Sequence, residues 1–281
     1  MARESPHYRN GRRSAIVVAL RRRKPDVQTQ TPARRAWRGP FHPSNRLRPL
    51  AALRAVQALI RNPDSTGEVF KIIEALKGGS LRKAVERMAA TPAGQQMLER
   101  KPSVLACLSD RAALAALPEG SLGRAYLDFV SSQNLSADGL VEASEEAPRN
   151  KALSYLDPEE IWLADRLRDF HDLQHVLTGY GRDELGELCL LSFMTTQTYN
   201  RGISFIVFVA RRQYRREMPG FDIDGLVREG REIAAAAAWL PAVSWEQRLG
   251  ESLEDLRAEL QLRPPAHYLA ARASRSATGA T

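Results

Sequence analysis

Cysteine is scarce here, long apolar runs are missing, and the first 48 residues hold almost no acid. Cys107 and Cys189 are the two cysteines in 281 residues. They can pair only once, which excludes a disulfide-framework protein and makes a reducing compartment the simpler setting. No stretch reaches the ~18 uninterrupted apolar residues a spanning helix requires. The longest candidate, Leu188 to Ala210, is broken by Gln197, Asn200 and Arg201. A secretory signal is lacking as well: Ile16 to Leu20 is short and runs into Arg21-Arg22-Arg23-Lys24. The pair Arg12-Arg13 fails as a twin-arginine export signal for the same reason. Glycine and proline (18 and 16 residues) stand at average usage, which excludes fibrous chains. Strict alternation of apolar and polar residues, the strand signature, hardly occurs, and no internal repeat is visible.

The net charge of +8 suggests nucleic acid until its location is read. Residues 1–48 contain 13 Lys/Arg against Glu4 and Asp26, and the rest carries 28 basic and 31 acidic residues. The body is near neutral, which argues against a nucleic-acid-binding domain. The Arg/Pro-rich stretch 1–48 reads as a disordered arm, an organellar transit peptide, or the product of a start site set too far upstream.

From Leu50 the pattern is helical. Leu50, Leu53, Val56, Leu59 and Ile60 recur at helical spacing and stop at Asn62-Pro63-Asp64. Asp157-Pro158-Glu159-Glu160 predicts a helix start with Asp157 as cap, Pro158 at the first position and Glu160 closing a capping box. That helix is expected to run to about Leu177 and end at Gly179 in the left-handed conformation. Asp183 caps the next, which continues into the Leu188–Ala210 segment, so the two form a helical hairpin. Two more helices are read over Ala234–Ala238 and Trp245–Leu260. Residues 263–281 read as a frayed, disordered tail. The fold expected is all-α, one domain over 49–262.

The chemistry lies in Asp169-Phe170-His171-Asp172-Leu173-Gln174-His175 and, after the turn, Glu187. His171 and His175 are four residues apart on one helical face, the spacing by which HExxH helices present two imidazoles to zinc. Asp172 is near enough to reach the same ion or to orient a ligand, and the Gly179–Arg182 turn returns Glu187 across the hairpin. Such a set suits Zn(II), and two histidines with one carboxylate suit Fe(II). The bland alternative is a pair of histidines hydrogen-bonded to carboxylates on a core helix.

These residues also resemble a known family. His171-Asp172-Leu173-Gln174-His175, eleven residues, then Glu187 matches the HDxxH-x11-E signature of the coenzyme Q biosynthesis protein family usually numbered four. Leu117-Pro118-Glu119-Gly120-Ser121-Leu122-Gly123-Arg124-Ala125-Tyr126 is similar to its LPxGSLGRxY element. Gly179 to Asp183, Gln197 to Gly202 and the Trp245 to Leu260 region are looser likenesses. The resemblance implies a helical protein peripheral to a membrane that binds a divalent metal through His171, Asp172, His175 and Glu187. It further implies a role in ubiquinone assembly, organising the biosynthetic complex or acting at C1 of a polyprenylated 4-hydroxybenzoate-type ring, where the carboxyl is lost and a hydroxyl installed. The implied partners are that prenylated ring, the membrane surface and other ubiquinone biosynthesis proteins. The implied location is the cytoplasmic side of the inner membrane, or the matrix side of the mitochondrial one.

Two rivals remain at this level. A zinc hydrolase would need a glutamate where Asp172 stands. A prenyl-lipid-binding scaffold would use the metal only to fix the hairpin. Phe193, Met194, Tyr199, Phe205 and Phe208 read chiefly as core of a long buried helix and secondarily as a tunnel wall for a prenyl tail. Arg201 reads as a buried charge with a structural partner. Arg211, Arg212, Arg215 and Arg216 read as a solvated cluster at a helix end, able to meet anionic lipid.

Overall fold

The computed structural model describes residues 47–61, 66–76, 78–132 and 156–278. Among these residues there are fifteen α-helices and no strand beyond one isolated bridge, Ser121 to Ser252. The all-α expectation holds. The arm read over 1–48 lies, but for its last two residues, outside the described residues.

Seven helices precede the segment that carries the histidines: α1 (Pro49–Arg61), α2 (Thr66–Leu76), α3 (Ser80–Ala89), α4 (Pro92–Arg100), α5 (Val104–Ser109), α6 (Arg111–Ala115) and α7 (Leu122–Ser132). Then come α8 (Pro158–Asp169), α9 (His171–Thr178), α10 (Glu184–Thr198), α11 (Arg201–Glu217) and α12 (Ile223–Ala236). A 3₁₀ turn, Leu240–Ala242, leads to α13 (Trp245–Arg248), α14 (Leu253–Glu259) and α15 (Ala266–Thr278).

Helix α10 is the centre. Leu185, Leu188, Cys189, Leu190, Phe193 and Met194 are all buried, so it is apolar around most of its circumference, as a helix enclosed on all sides must be. It packs chiefly against α12 and α11, while α7 lies on α9 and α8 on α3. The start of α8 follows the sequence: the Asp157 N–H donates to Glu160 Oε2 at 2.8 Å, closing the capping box behind Pro158.

Four expectations are corrected. The helix read from Asp157 to Leu177 is two helices, because Phe170 (φ −98°, ψ 13°) steps out of helical geometry between α8 and α9. Its ring is fully buried and stacks on Trp245 with centroids 6.5 Å apart, a packing gain that local periodicity does not encode. The Leu188–Ala210 segment also divides. Tyr199 takes a left-handed φ of 51°, and Asn200 Oδ1 accepts from the Gly202 and Ile203 N–H groups to start α11. Phe193 and Met194 are core, whereas Tyr199 and Phe208 face outward, as does Arg201, which is not a buried charge. Finally, residues 266–278 are not a frayed tail but helix α15, anchored by the fully buried Tyr268. The buried Glu229 carboxylate accepts from the His267 and Tyr268 N–H groups at 3.0 and 3.2 Å, satisfying orphan donors at its start. The last predicted helix, Trp245–Leu260, is interrupted between α13 and α14.

Candidate metal centre

Because of the break at Phe170, His171 is the first residue of α9, Asp172 stands in its first turn, and His175 follows one turn later. The anionic Asp172 is favoured there by the helix dipole. The C-terminus of α9 ends on Gly179 at φ +80°, where a side chain would be strained. The turn then delivers Asp183, whose Oδ1 caps α10 by accepting from the Gly186 N–H at 3.1 Å. Gly186 lies so close to the Gly181 carbonyl that an added Cβ would sit 2.1 Å from its oxygen. That close approach puts Glu187, the next residue, opposite the histidines.

Glu187 Oε1 stands 3.5 Å from His171 Nε2 and Oε2 stands 3.2 Å from His175 Nε2. The two imidazoles meet edge to face, centroids 5.0 Å apart. On its other side His171 Nδ1 faces Asp172 Oδ1 at 3.6 Å, and Arg182 Nη1 reaches the same oxygen at 3.5 Å. His171, Asp172 and His175 bring one donor atom each within 4.8 Å of one another. All four predicted residues are thus brought together.

His175 reports its tautomer. Its Nδ1 is 3.1 Å from the Tyr180 carbonyl oxygen, a pure acceptor, so Nδ1 carries the proton and donates it. Nε2 faces Glu187 Oε2 and is buried without a hydrogen-bond partner. His171 Nδ1 is likewise buried and unpartnered. Two imidazole nitrogens facing one carboxylate form a donor set that either a proton or a divalent cation bridges. The donor set therefore fits a divalent ion of the Zn(II) or Fe(II) kind.

Electrostatics agree. Burial alone would lower the His171 imidazole, but the Glu187 carboxylate, joined by Asp172, outweighs it and holds the proton up to about 10. Burial would raise the Glu187 carboxyl, and the two imidazoles reverse that to well below the usual range. Asp172 is lowered too, its burial overcome by His171 and then Arg182.

The supporting residues were less visible in the sequence. Phe129 of α7 stacks on His175 with centroids 5.5 Å apart, closing one face of the ring to water. Tyr126 of the same helix is buried and feels the Asp172 charge, which, after burial, raises its phenol. Arg257 of α14 donates to the Leu177 and Val176 carbonyls at 3.0 and 2.7 Å, capping the end of α9 from outside. Tyr268 accepts from the Gly181 N–H at 2.9 Å and donates to Asp183 Oδ2, clamping the turn. Of these, Tyr126 and Arg257 sit in the motifs noted above, and Phe129 and Tyr268 lie outside them.

Known proteins share this sequence and fold. A family model described as "Coenzyme Q (ubiquinone) biosynthesis protein Coq4" matches residues 40–266. The rat protein named "Ubiquinone biosynthesis protein COQ4 homolog, mitochondrial" is 28% identical over 228 residues, which cover 78% of this chain and 80% of the rat one. The Aspergillus clavatus protein "Ubiquinone biosynthesis protein coq4, mitochondrial" is 30% identical over 185 residues, 64% of this chain and 60% of its own. A crystal structure of a candidate ubiquinone biosynthesis protein from Nostoc punctiforme shares the fold: TM-score 0.54 at 21% identity, covering 77% of this chain and 99% of that one. With a family match that runs through the histidine pair, the turn and Glu187, the chain belongs to the coenzyme Q (ubiquinone) biosynthesis protein Coq4 family and has its role in ubiquinone biosynthesis.

Proposed function

We propose that His171, His175 and Glu187 hold one divalent ion, Zn(II) or Fe(II), with Asp172 fixing His171 from its Nδ1 side, and that this site acts at C1 of a polyprenylated 4-hydroxybenzoate-type ring. The observation that carries the reading is the convergence of His171 Nε2 and His175 Nε2 on the two Glu187 carboxylate oxygens, at 3.5 and 3.2 Å. Such an ion supplies Lewis acidity toward a carboxylate or phenolate and, as iron, a position for dioxygen. The protein's own part is positional. The Tyr180 carbonyl fixes the His175 tautomer, the Arg257 and Tyr268 contacts hold both ends of the turn, and Phe129 keeps water from one ring face. In the proposed reaction the bond from C1 to the carboxyl carbon breaks and CO2 leaves. Dioxygen is the oxidant: one atom becomes the ring hydroxyl, the other leaves as water with two electrons and two protons from a reductant.

The same reading puts the protein at a membrane surface, where prenylated rings reside, alongside other proteins of the pathway. Among the described residues no helix is long and apolar enough to cross a membrane. The curated relatives are named mitochondrial, which supports a mitochondrial location for a eukaryotic copy.

The test is elemental analysis of the purified protein together with mass spectrometry of co-purifying lipid, followed by release of labelled CO2 from a carboxyl-labelled prenylated substrate. One ion per chain and label release that His171→Ala and Glu187→Ala abolish are expected. Metal-free protein with full activity, or folded His171→Ala that still supports quinone synthesis, would overturn the catalytic role and leave a scaffold.

A further inference from the structure

Helix α10 carries Glu187 at its start and, roughly 15 Å further along at 1.5 Å per residue, ends against a second concave site. There a cleft of about 470 Å³ is lined by Lys83, Arg87, Gln197, Tyr199, Arg201 and Trp239, among others, and among the described residues its wall holds no acid. Among the described residues none of the three cations makes an ion pair with a carboxylate. Arg166, Arg211, Arg215 and Arg248, by contrast, each face a carboxylate.

Stability does not explain the arrangement. The end of α10 carries only about half a negative charge, which three cations exceed. Arg201 is the first residue of α11 and Lys83 stands in the first turn of α3, so both lie at helix starts, where the dipole repels a cation. An anion in the cleft reverses each of these penalties at once.

The walls are built to hold shape. The Gln197 side chain donates to the Ala234 and Ala238 carbonyls and accepts from the Leu240 N–H, while its backbone oxygen accepts from Trp239 Nε1 at 2.8 Å. Arg87 lies over the Trp239 ring, 4.5 Å from its centroid, which orients the guanidinium plane and leaves its N–H edge free for a planar or tetrahedral oxyanion. Tyr199 occupies a left-handed backbone position and is 71% exposed at the rim.

We infer that this cleft is an anion site for a phosphate-bearing ligand, held by Lys83, Arg87 and Arg201 between the Trp239 and Tyr199 rings and separate from the metal cluster. Phosphate chemistry could come from a soluble phosphate ester or from the headgroup of an anionic lipid.

The experiment titrates the full chain with inorganic pyrophosphate by calorimetry and, in parallel, floats it with phosphatidylcholine vesicles with and without phosphatidic acid. The comparison is with Lys83→Gln/Arg201→Gln, which leaves the metal cluster intact. Both positions are exposed, so the double variant is expected to melt like the parent. Pyrophosphate binding, or phosphatidic-acid-dependent flotation, weakened about tenfold or more in the double variant supports the site. A pyrophosphate response without flotation assigns a soluble ligand, and the converse assigns a lipid headgroup. If neither probe binds, or if the double variant binds both as well as the parent, the inference is overturned. Failure here leaves the metal reading untouched, because no residue is shared between them.

Discussion

Replacing Gly186 with alanine tests the metal centre from a residue that touches no ion. In an exposed helix interior the exchange of glycine for alanine stabilises by about 0.5–1 kcal/mol. Here the new Cβ would lie 2.1 Å from the Gly181 oxygen and 2.8 Å from its carbonyl carbon, both main-chain atoms that cannot rotate aside. Overpacking of this kind costs about 1–3 kcal/mol, so the sign inverts and Gly186→Ala comes out roughly 1–2 kcal/mol less stable. The strain relaxes by lifting the start of α10 off the turn, which carries Glu187 away from both imidazoles. A zinc-affinity loss of about 10–100-fold follows, the size expected when a supporting shell is disturbed. Gly67 in α2 serves as control, since nothing lies within 4 Å of its would-be Cβ. Gly67→Ala is expected to hold or gain stability by about 0.4–1 kcal/mol without altering zinc affinity. Thermal unfolding and zinc calorimetry on both variants decide. A Gly186→Ala protein as stable as the parent, with unchanged zinc binding, would refute the claim that the Gly181–Gly186 contact sets Glu187.

Metal uptake should weaken as pH falls. The metal-free cluster holds a proton on His171 with a value of about 10, and proton and cation compete for the same lone pair. About one proton is expected to be released per ion near neutral pH, read from calorimetry in buffers of different ionisation enthalpy; none released would contradict the coupling. Arg166→Met should cost about 3–5 kcal/mol in urea unfolding, because the buried guanidinium pairs with Glu246 and serves the Pro241 and Val243 carbonyls. A neutral result would mean the apolar replacement satisfies that pocket equally well. Tyr268→Phe removes the hydroxyl that joins the Gly181 N–H to Asp183 and should cost about 0.5–1.5 kcal/mol. Zinc affinity should fall with it, and an unchanged affinity would sever the clamp from the site.

What the sequence disclosed and what it hid follow from range. Asp157 with Glu160, Gly179 and Asp183 act within a few residues of themselves, and each does what its type and position predict. The His171–His175 pairing is one helical turn, and Glu187 needed only a short hairpin. Phe170 is different. Its neighbours continue the apolar pattern, and the break depends on Trp245, which lies far along the chain. Asn200 was visible as an interruption, yet its action as a helix cap is clear only once Tyr199 turns left-handed. The region after residue 262 reads as weakly patterned because a single buried tyrosine and a distant glutamate, Glu229, hold it in place.

The Tyr268 clamp has a consequence for biogenesis. It grips Asp183 from 85 positions downstream, so a nascent chain that has already emerged with both histidines and Glu187 still lacks the hydroxyl that locks their turn. Under the proposed metal reading, ion capture at full strength waits for α15. An arrested ribosome complex displaying everything up to α14 should bind zinc more loosely than the released protein, and the shortfall would measure how much of the ligand geometry is set from afar.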